Sequence, residues 1–186
     1  MLLNDKQITE LCIEKAMISP FVAFKTVKTI NKGVLEPLRL PSYGLSSAGY
    51  DIRLSGLDFQ VLDNAEDRHF KVQPDADGAL IIPARSVALG TSVEHFNIPS
   101  DVMVIALMKS TYARQHVTHH ITPLEPGWRG YLTFEIANLT SHPRKVYSNA
   151  GIAQLLFHKL ESPCQRDYTQ TGGKYQDQPQ AVVHAK

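Results

Sequence analysis

From residue 50 to residue 160 the chain is a succession of short β-rich runs, none long enough to bury itself alone, separated by proline, glycine, asparagine and aspartate. The runs fall at 50–54, 59–62, 70–72, 79–82, 86–93 and 102–108, then at 117–121, 131–139, 145–147 and 152–160. Short strands at this spacing find their hydrophobic partners only in one another. The pattern therefore predicts a mainly β protein built as a barrel or jelly-roll-like sandwich. One helix precedes it: Asn4 can cap a helix with Gln7 three positions on, and Ile8, Leu11, Cys12 and Ala16 then share a face before Pro20 stops it. The polar segment after Met108 has room for one or two helical turns, and the stretch from Ser162 onward, rich in Gln, Gly, Asp and Pro, predicts a mobile arm or an ordered lid.

At 186 residues, 43% hydrophobic and 20% charged, the chain has the make-up of one folded domain spanning 1–186, with 162–186 as its arm. A net charge of +1 supplies no global field for nucleic acid or an anionic membrane, so an anionic ligand needs a local cluster. Cys12 and Cys164 match neither a disulfide framework nor a zinc spacing. Charges at Asp5, Lys6, Glu10, Glu14 and Lys15 break any signal-peptide core, and no apolar run reaches membrane-spanning length, which leads to a cytoplasmic expectation.

Three segments carry chemistry. Lys109-Ser110-Thr111-Tyr112-Ala113-Arg114 follows directly on a buried-looking strand and offers two cations, two hydroxyls and the free N–H groups of a helix start, which suits a polyphosphate. The same residues also suit a capped helix with solvated charges, and the glycines of a Walker loop are missing. Glu135 alternates with Tyr131, Thr133 and Ala137 on one strand face, while Leu132, Phe134 and Ile136 take the core face. Such a glutamate is either plainly solvated or, beside small neighbours in a pocket, a proton shuttle. Trp128, after Pro126-Gly127, is a packing anchor or a ligand wall, and Gly172-Gly173-Lys174-Tyr175 forms a hinge beside a cation and an aromatic. Adjacent His119 and His120 point to opposite strand faces and cannot easily share an ion. The zinc-deaminase signature is incomplete, because Pro163-Cys164 has no second cysteine.

Taken in order, these segments resemble the dCTP deaminase family, relatives of the trimeric dUTPases. Ser46-Ser47-Ala48-Gly49-Tyr50-Asp51 is similar to the family's early strand motif, 109–114 to its nucleotide-binding helix, 122–128 to its turn, and 132–138 to the strand bearing its catalytic glutamate. Gly151-Ile152-Ala153-Gln154 and the 168–178 tail continue the likeness; Met108 departs from it, standing where many relatives have glycine. The resemblance implies a distorted, dUTPase-like β-barrel or jelly roll with an N-terminal helix and short helical turns. It further implies a homotrimer with active sites between subunits, and zinc-independent deamination of dCTP to dUTP with Mg2+ carried on the triphosphate and no metal held by protein side chains. Glu135 takes the catalytic position, with Ser110 and Arg114 contacting the nucleotide and ordering the water. Lys109 and Thr111 match phosphate contacts, Glu125 the acid near the 3′-hydroxyl, and Trp128 a wall against the sugar. Tyr168, Lys174 and Gln178 match tail residues over the phosphates. A dUTPase or bifunctional enzyme giving dUMP, and a non-catalytic nucleotide-binding trimer, are the rival readings.

Overall fold

The computed structural model describes residues 1–31 and 37–185. Helix α1 (Asp5–Lys15) opens on the expected capping box: the Gln7 N–H donates to Asn4 Oδ1 at 3.0 Å and the Asn4 N–H to Gln7 Oε1 at 3.1 Å. Such a cap stabilises the helix by about 1 kcal/mol. Ile8 and Cys12 are buried, and burial pushes the Cys12 thiol up to about 12, so this cysteine is a packed, protonated side chain. Ala16 departs from the expectation. It is exposed and adopts a left-handed conformation (φ 49°), its N–H donating to the Leu11 carbonyl, and this cap ends the helix four residues before Pro20.

Strands follow in the order β1 (Ile18–Ser19), β2 (Thr29–Ile30), β3 (Leu38–Arg39), β4 (Gly44–Ser46), β5 (Gly49–Asp63), β6 (Arg68–Val72), β7 (Ala79–Ile82), β8 (Val87–Asn97) and β9 (Val102–Met108). A single-turn helix α2 (Ser110–Ala113) then leads to β10 (Val117–His120), β11 (Arg129–Asn138), β12 (Arg144–Tyr147) and β13 (Gly151–Lys159). The principal sheet runs β10-β11-β8-β5-β13-β9, with β1 added to β8 and both β4 and β6 to β5; β12 pairs with β7, and β2 with β3. Its outer strands, β9 and β10, are joined through α2, and Val104 exchanges backbone hydrogen bonds with Leu124 just beyond β10, so the sheet curls into a nearly closed barrel.

The runs at 50–54 and 59–62, which the sequence separates, are one strand. The polar stretch between them reads as a turn, but it is a bulge: the register with β8 breaks between Leu54 and Phe59, and a Cβ on Gly56 would lie 2.9 Å from both Pro74 and Ser148, so the backbone bends there without reversing. β5 thus serves both halves of the barrel. Tyr50, Ile52, Leu54, Phe59, Val61, Phe96, Phe134 and Phe157 point inward and are fully buried, forming with α1 one hydrophobic cluster. No helix among the described residues is long and apolar enough to cross a membrane.

Candidate active site

The segment after β9 is held from both ends. Lys109 is the N-cap of α2 without a side-chain cap of its own, its N–H donates to the Ile152 carbonyl, and Tyr112 sinks into the core as the anchor of the turn. Ser110, Thr111 and Arg114 are left exposed on the short helix. Lys109 is different: its Nζ donates to Asp51 Oδ2 at 2.5 Å and to Ser42 Oγ at 3.0 Å, with only 13% of its side chain exposed. The reading of Lys109 as a solvated charge does not hold: the cation is locked inside. A buried cation with an ideal carboxylate partner fixes geometry, because breaking the pair would strand a charge out of water. Met108 needs no glycine in its place, since its backbone does not enter the positive-φ region.

Glu135 lies in the middle of β11, directly opposite His120 on β10 and Leu89 on β8. The alternation is as expected: Leu132, Phe134 and Ile136 are buried, Tyr131 and Thr133 half-buried, and Glu135 exposed beside a buried Ala137. Among the described residues nothing donates a hydrogen bond to its carboxylate, and no hydrogen bond or ion pair links it to α2. The register explains why. Its partner His120 is at the end of β10 remote from α2, with about 10 Å of extended strand between. His119 pairs with Ile136 on the opposite face; among the described residues neither buried ring nitrogen has a well-formed hydrogen bond, although the Leu107 backbone lies near, and burial holds its pKa below the usual histidine value. No group of three or more His, Cys, Asp or Glu among the described residues is arranged to hold a metal ion.

The turn and the arm form a third assembly. The Trp128 N–H donates to the Glu125 carbonyl, and Gly127 sits at φ 81° so close to Asp167 that a Cβ would approach within 2.7 Å. Trp128 is 5% exposed, packs its ring 6.4 Å from Phe96 and donates its indole N–H to the Tyr175 carbonyl at 2.8 Å. Its ring packs on the core and its polar edge fastens the arm. The Tyr168 N–H donates to the Pro126 carbonyl, and Gly173 lies against the Tyr168 ring. Lys174 is exposed in the bend that follows Gly172 and Gly173. Arg129 pairs with Asp177 at 2.5 and 3.0 Å, and the Gln178 carbonyl accepts from the Tyr131 N–H, extending the free flank of β11. Beyond this the arm crosses the outer face of the sheet, with the Val182 N–H on Asp58 and the His184 ring 5.1 Å from His69.

The sequence-derived residues thus gather as Lys109, Ser110, Thr111 and Arg114 at α2, and as Glu125, Trp128, Tyr168, Lys174 and Gln178 along the turn and arm. Glu135 shares no hydrogen bond with either group within one chain. Asp51 and Ser42 position Lys109; the sequence offered Asp51 only as the end of the 46–51 motif and paired neither residue with Lys109. The signal was present as a carboxylate between Tyr50 and Ile52 in a run that is otherwise buried.

A sequence model of the dCTP deaminase-like family matches residues 2–160. The chain belongs to this family. Within it, the dCTP deaminase of Campylobacter fetus subsp. fetus is 43% identical over 183 residues, covering 94% of this chain and 92% of the relative; that of Azotobacter vinelandii is also 43% identical over 183 residues, covering 94% of each. Among solved structures, the 2′-deoxycytidine 5′-triphosphate deaminase of Agrobacterium tumefaciens superposes with a TM-score of 0.60 at 16% identity over 85% of this chain. The overlap spans about half of that longer chain (47%), and the likeness establishes the family's barrel fold.

Proposed function

We infer that this chain is a dCTP deaminase, a hydrolase converting dCTP to dUTP and ammonia in pyrimidine deoxynucleotide metabolism, where it supplies dUTP as a precursor of dTTP. The observation that carries the reading is the bare carboxylate of Glu135, in a chain 43% identical to dCTP deaminases over 94% of its length. In this mechanism Glu135 takes a proton from a water that Ser110 also holds. The water oxygen adds to cytosine C4, and the same carboxylate hands the proton to the ring nitrogen. It then moves the hydroxyl proton to the amine, the C4–N bond breaks, ammonia leaves and the C4 carbonyl forms. No protein-bound zinc takes part, so acceleration comes from positioning and from donors around the tetrahedral intermediate.

The substrate enters as its Mg2+ complex, with the ion on the triphosphate. Thr111, the Arg114 cation and the start of α2 face the nucleotide, and Lys109, braced by Asp51, holds the shape of that turn as well as its charge. Glu125 is assigned to the 3′-hydroxyl, Trp128 to the wall beneath the sugar, and Tyr168, Lys174 and Gln178 to the phosphates. Because Glu135 and α2 do not meet within one chain, the complete site is proposed to form between the subunits of a cytoplasmic homotrimer. The exposed apolar residues Ile105, Leu107 and Leu139 support such an assembly.

Purified protein given dCTP and Mg2+ is expected to release ammonia and dUTP undiminished by a zinc-selective chelator. Release of pyrophosphate would make the enzyme bifunctional, and nucleotide binding without ammonia would make it a binding protein. Co-refolding a Glu135→Gln variant with a Ser110→Ala/Arg114→Ala variant in equal amounts tests the shared site: two inactive proteins should regain activity at roughly a quarter of all sites, about one in three within the mixed trimers. No recovery would place the whole site within one chain.

A further inference from the structure

Beside α2, lined by neither Ser110 nor Arg114, the surface opens into a cavity of about 310 Å³, within the range of small-ligand pockets. Arg39, Arg144 and Lys145 border it, and among the described residues no carboxylate does. Thr111, Tyr112 and Gln115 form its wall on the α2 side, while Leu40, Pro41 and Pro143 give an apolar flank. Two polar atoms of the lining residues are buried with no hydrogen-bond partner: the Tyr112 hydroxyl, in a residue only 1% exposed, and Nε of Arg144. Tyr112 Oη lies near the Tyr147 backbone without making a satisfactory hydrogen bond. Buried polar atoms without partners beside clustered cations make a lining that suits an anion.

We propose that this cavity is a second anion site, taking a phosphate monoester with a small, flat organic group, the chemistry of a nucleoside monophosphate. The guanidinium of Arg144, turned slightly, presents Nε and a terminal nitrogen together to one phosphate, the paired geometry that makes arginine selective for such anions. Arg39 adds a second charge from the facing β3. The apolar flank distinguishes an ester from free phosphate. Thr111 is the one lining residue shared with the nucleotide cradle; Arg39, Arg144 and Lys145 belong to neither the cradle nor the arm.

Titration calorimetry on the intact protein at fixed ionic strength tests this, with deoxyuridine monophosphate and inorganic phosphate as probes. The background carries Ser110→Ala and Arg114→Ala, so that the cradle is disabled. Monoester binding should survive that background and weaken about tenfold or more when Arg144→Gln is added, as expected for loss of a charge-assisted pair. Inorganic phosphate should bind several-fold more weakly. If Arg144→Gln fails to fold, Arg39→Gln decides, with the same direction of change. Binding lost in the cradle background, or unaffected by a folded Arg144→Gln or Arg39→Gln protein, would overturn the site; phosphate binding as tightly as the ester would overturn the ligand class. The readout requires no turnover, so its failure leaves the deaminase reading untouched, and the converse holds.

Discussion

Glu94 and Glu135 lie on hydrogen-bonded neighbours, β8 and β11, yet the sheet has put them to opposite uses. Glu94 faces inward with no exposure. It accepts from Arg53 Nε at 2.6 Å and from the Arg53 N–H at 3.0 Å, and lies beside the Tyr50 hydroxyl at 3.5 Å. Arg53 in turn stacks 4.9 Å over the Tyr43 ring. Glu135 faces outward and has no partner among the described residues. A carboxylate taken out of water must be paired, and once paired it is committed to structure; one left at the surface keeps its lone pairs for a substrate. Which face a strand residue takes, more than its identity, decides between the two.

The sharpest way to test that contrast is to remove each acid and compare activity with stability. Glu135→Gln should lower deamination by about 10⁴-fold, near the upper limit for a general acid–base group, while leaving stability within roughly 0.5 kcal/mol and dCTP binding largely intact. Wild-type-like ammonia release from this variant would end its catalytic assignment. Glu94→Ala should do the reverse, costing about 3–5 kcal/mol in denaturant unfolding because Arg53 is stranded, with the Arg53→Ala/Glu94→Ala pair costing less than the sum. Additive losses would show that the pair is not coupled. Burial raises the Glu94 carboxyl above its usual range while Arg53 opposes the rise. A carboxyl raised on folding contributes stability that is full below the ordinary glutamate value and fades as pH climbs through the folded one, so Glu94→Gln should flatten that decline.

A smaller effect separates core from arm. Trp128→Phe keeps the ring contact with Phe96 but removes the bond to Tyr175, and should cost roughly 1 kcal/mol while raising amide exchange at residues 175–178 ahead of the barrel. Equal exchange in both regions would mean the arm is not fastened there. The smallest change belongs to His119, a buried polar group with no well-formed hydrogen bond among the described residues, to set beside the paired Glu94. Its pKa is held below 6.5, so its titration costs the fold nothing above that value and destabilises it progressively as pH falls from there through the lower, folded one. His119→Leu should therefore make the protein slightly more stable and less sensitive to acid melting below about pH 6.5. An unchanged pH profile would show that His119 does not titrate with unfolding.

Much of this was legible in the chain itself. The Asn4–Gln7 box fixed the helix start because its donors and acceptors are local, and the two-residue period at 131–137 placed Glu135 on the outer face because side-chain alternation is a property of any extended strand. Glu94 was not legible. Thr91, Ser92 and Glu94 are all buried in β8, so polarity stops marking the outside there, and the expected strand ended at Val93 although the real one reaches Asn97. The joined β5 was missed for a related reason: Ser55 and Gly56 read as a turn, and only their contact with Pro74 and Ser148 makes them a bulge.

What residue order settled, then, was everything that depends on neighbours along the chain: the capped helix, the β-rich periodicity, the faces of each strand and the three chemistry-bearing segments. Only the tertiary structure decided that Lys109 closes on Asp51, that Glu94 has Arg53, and that the arm is strapped to Trp128 and Tyr131. It also decided that Glu135 stands apart from α2 within a single chain. These are pairings between residues 40 or more positions apart, and hydrogen bonds and ion pairs of that kind are chosen by which groups folding drives out of water together, a choice that no local pattern encodes.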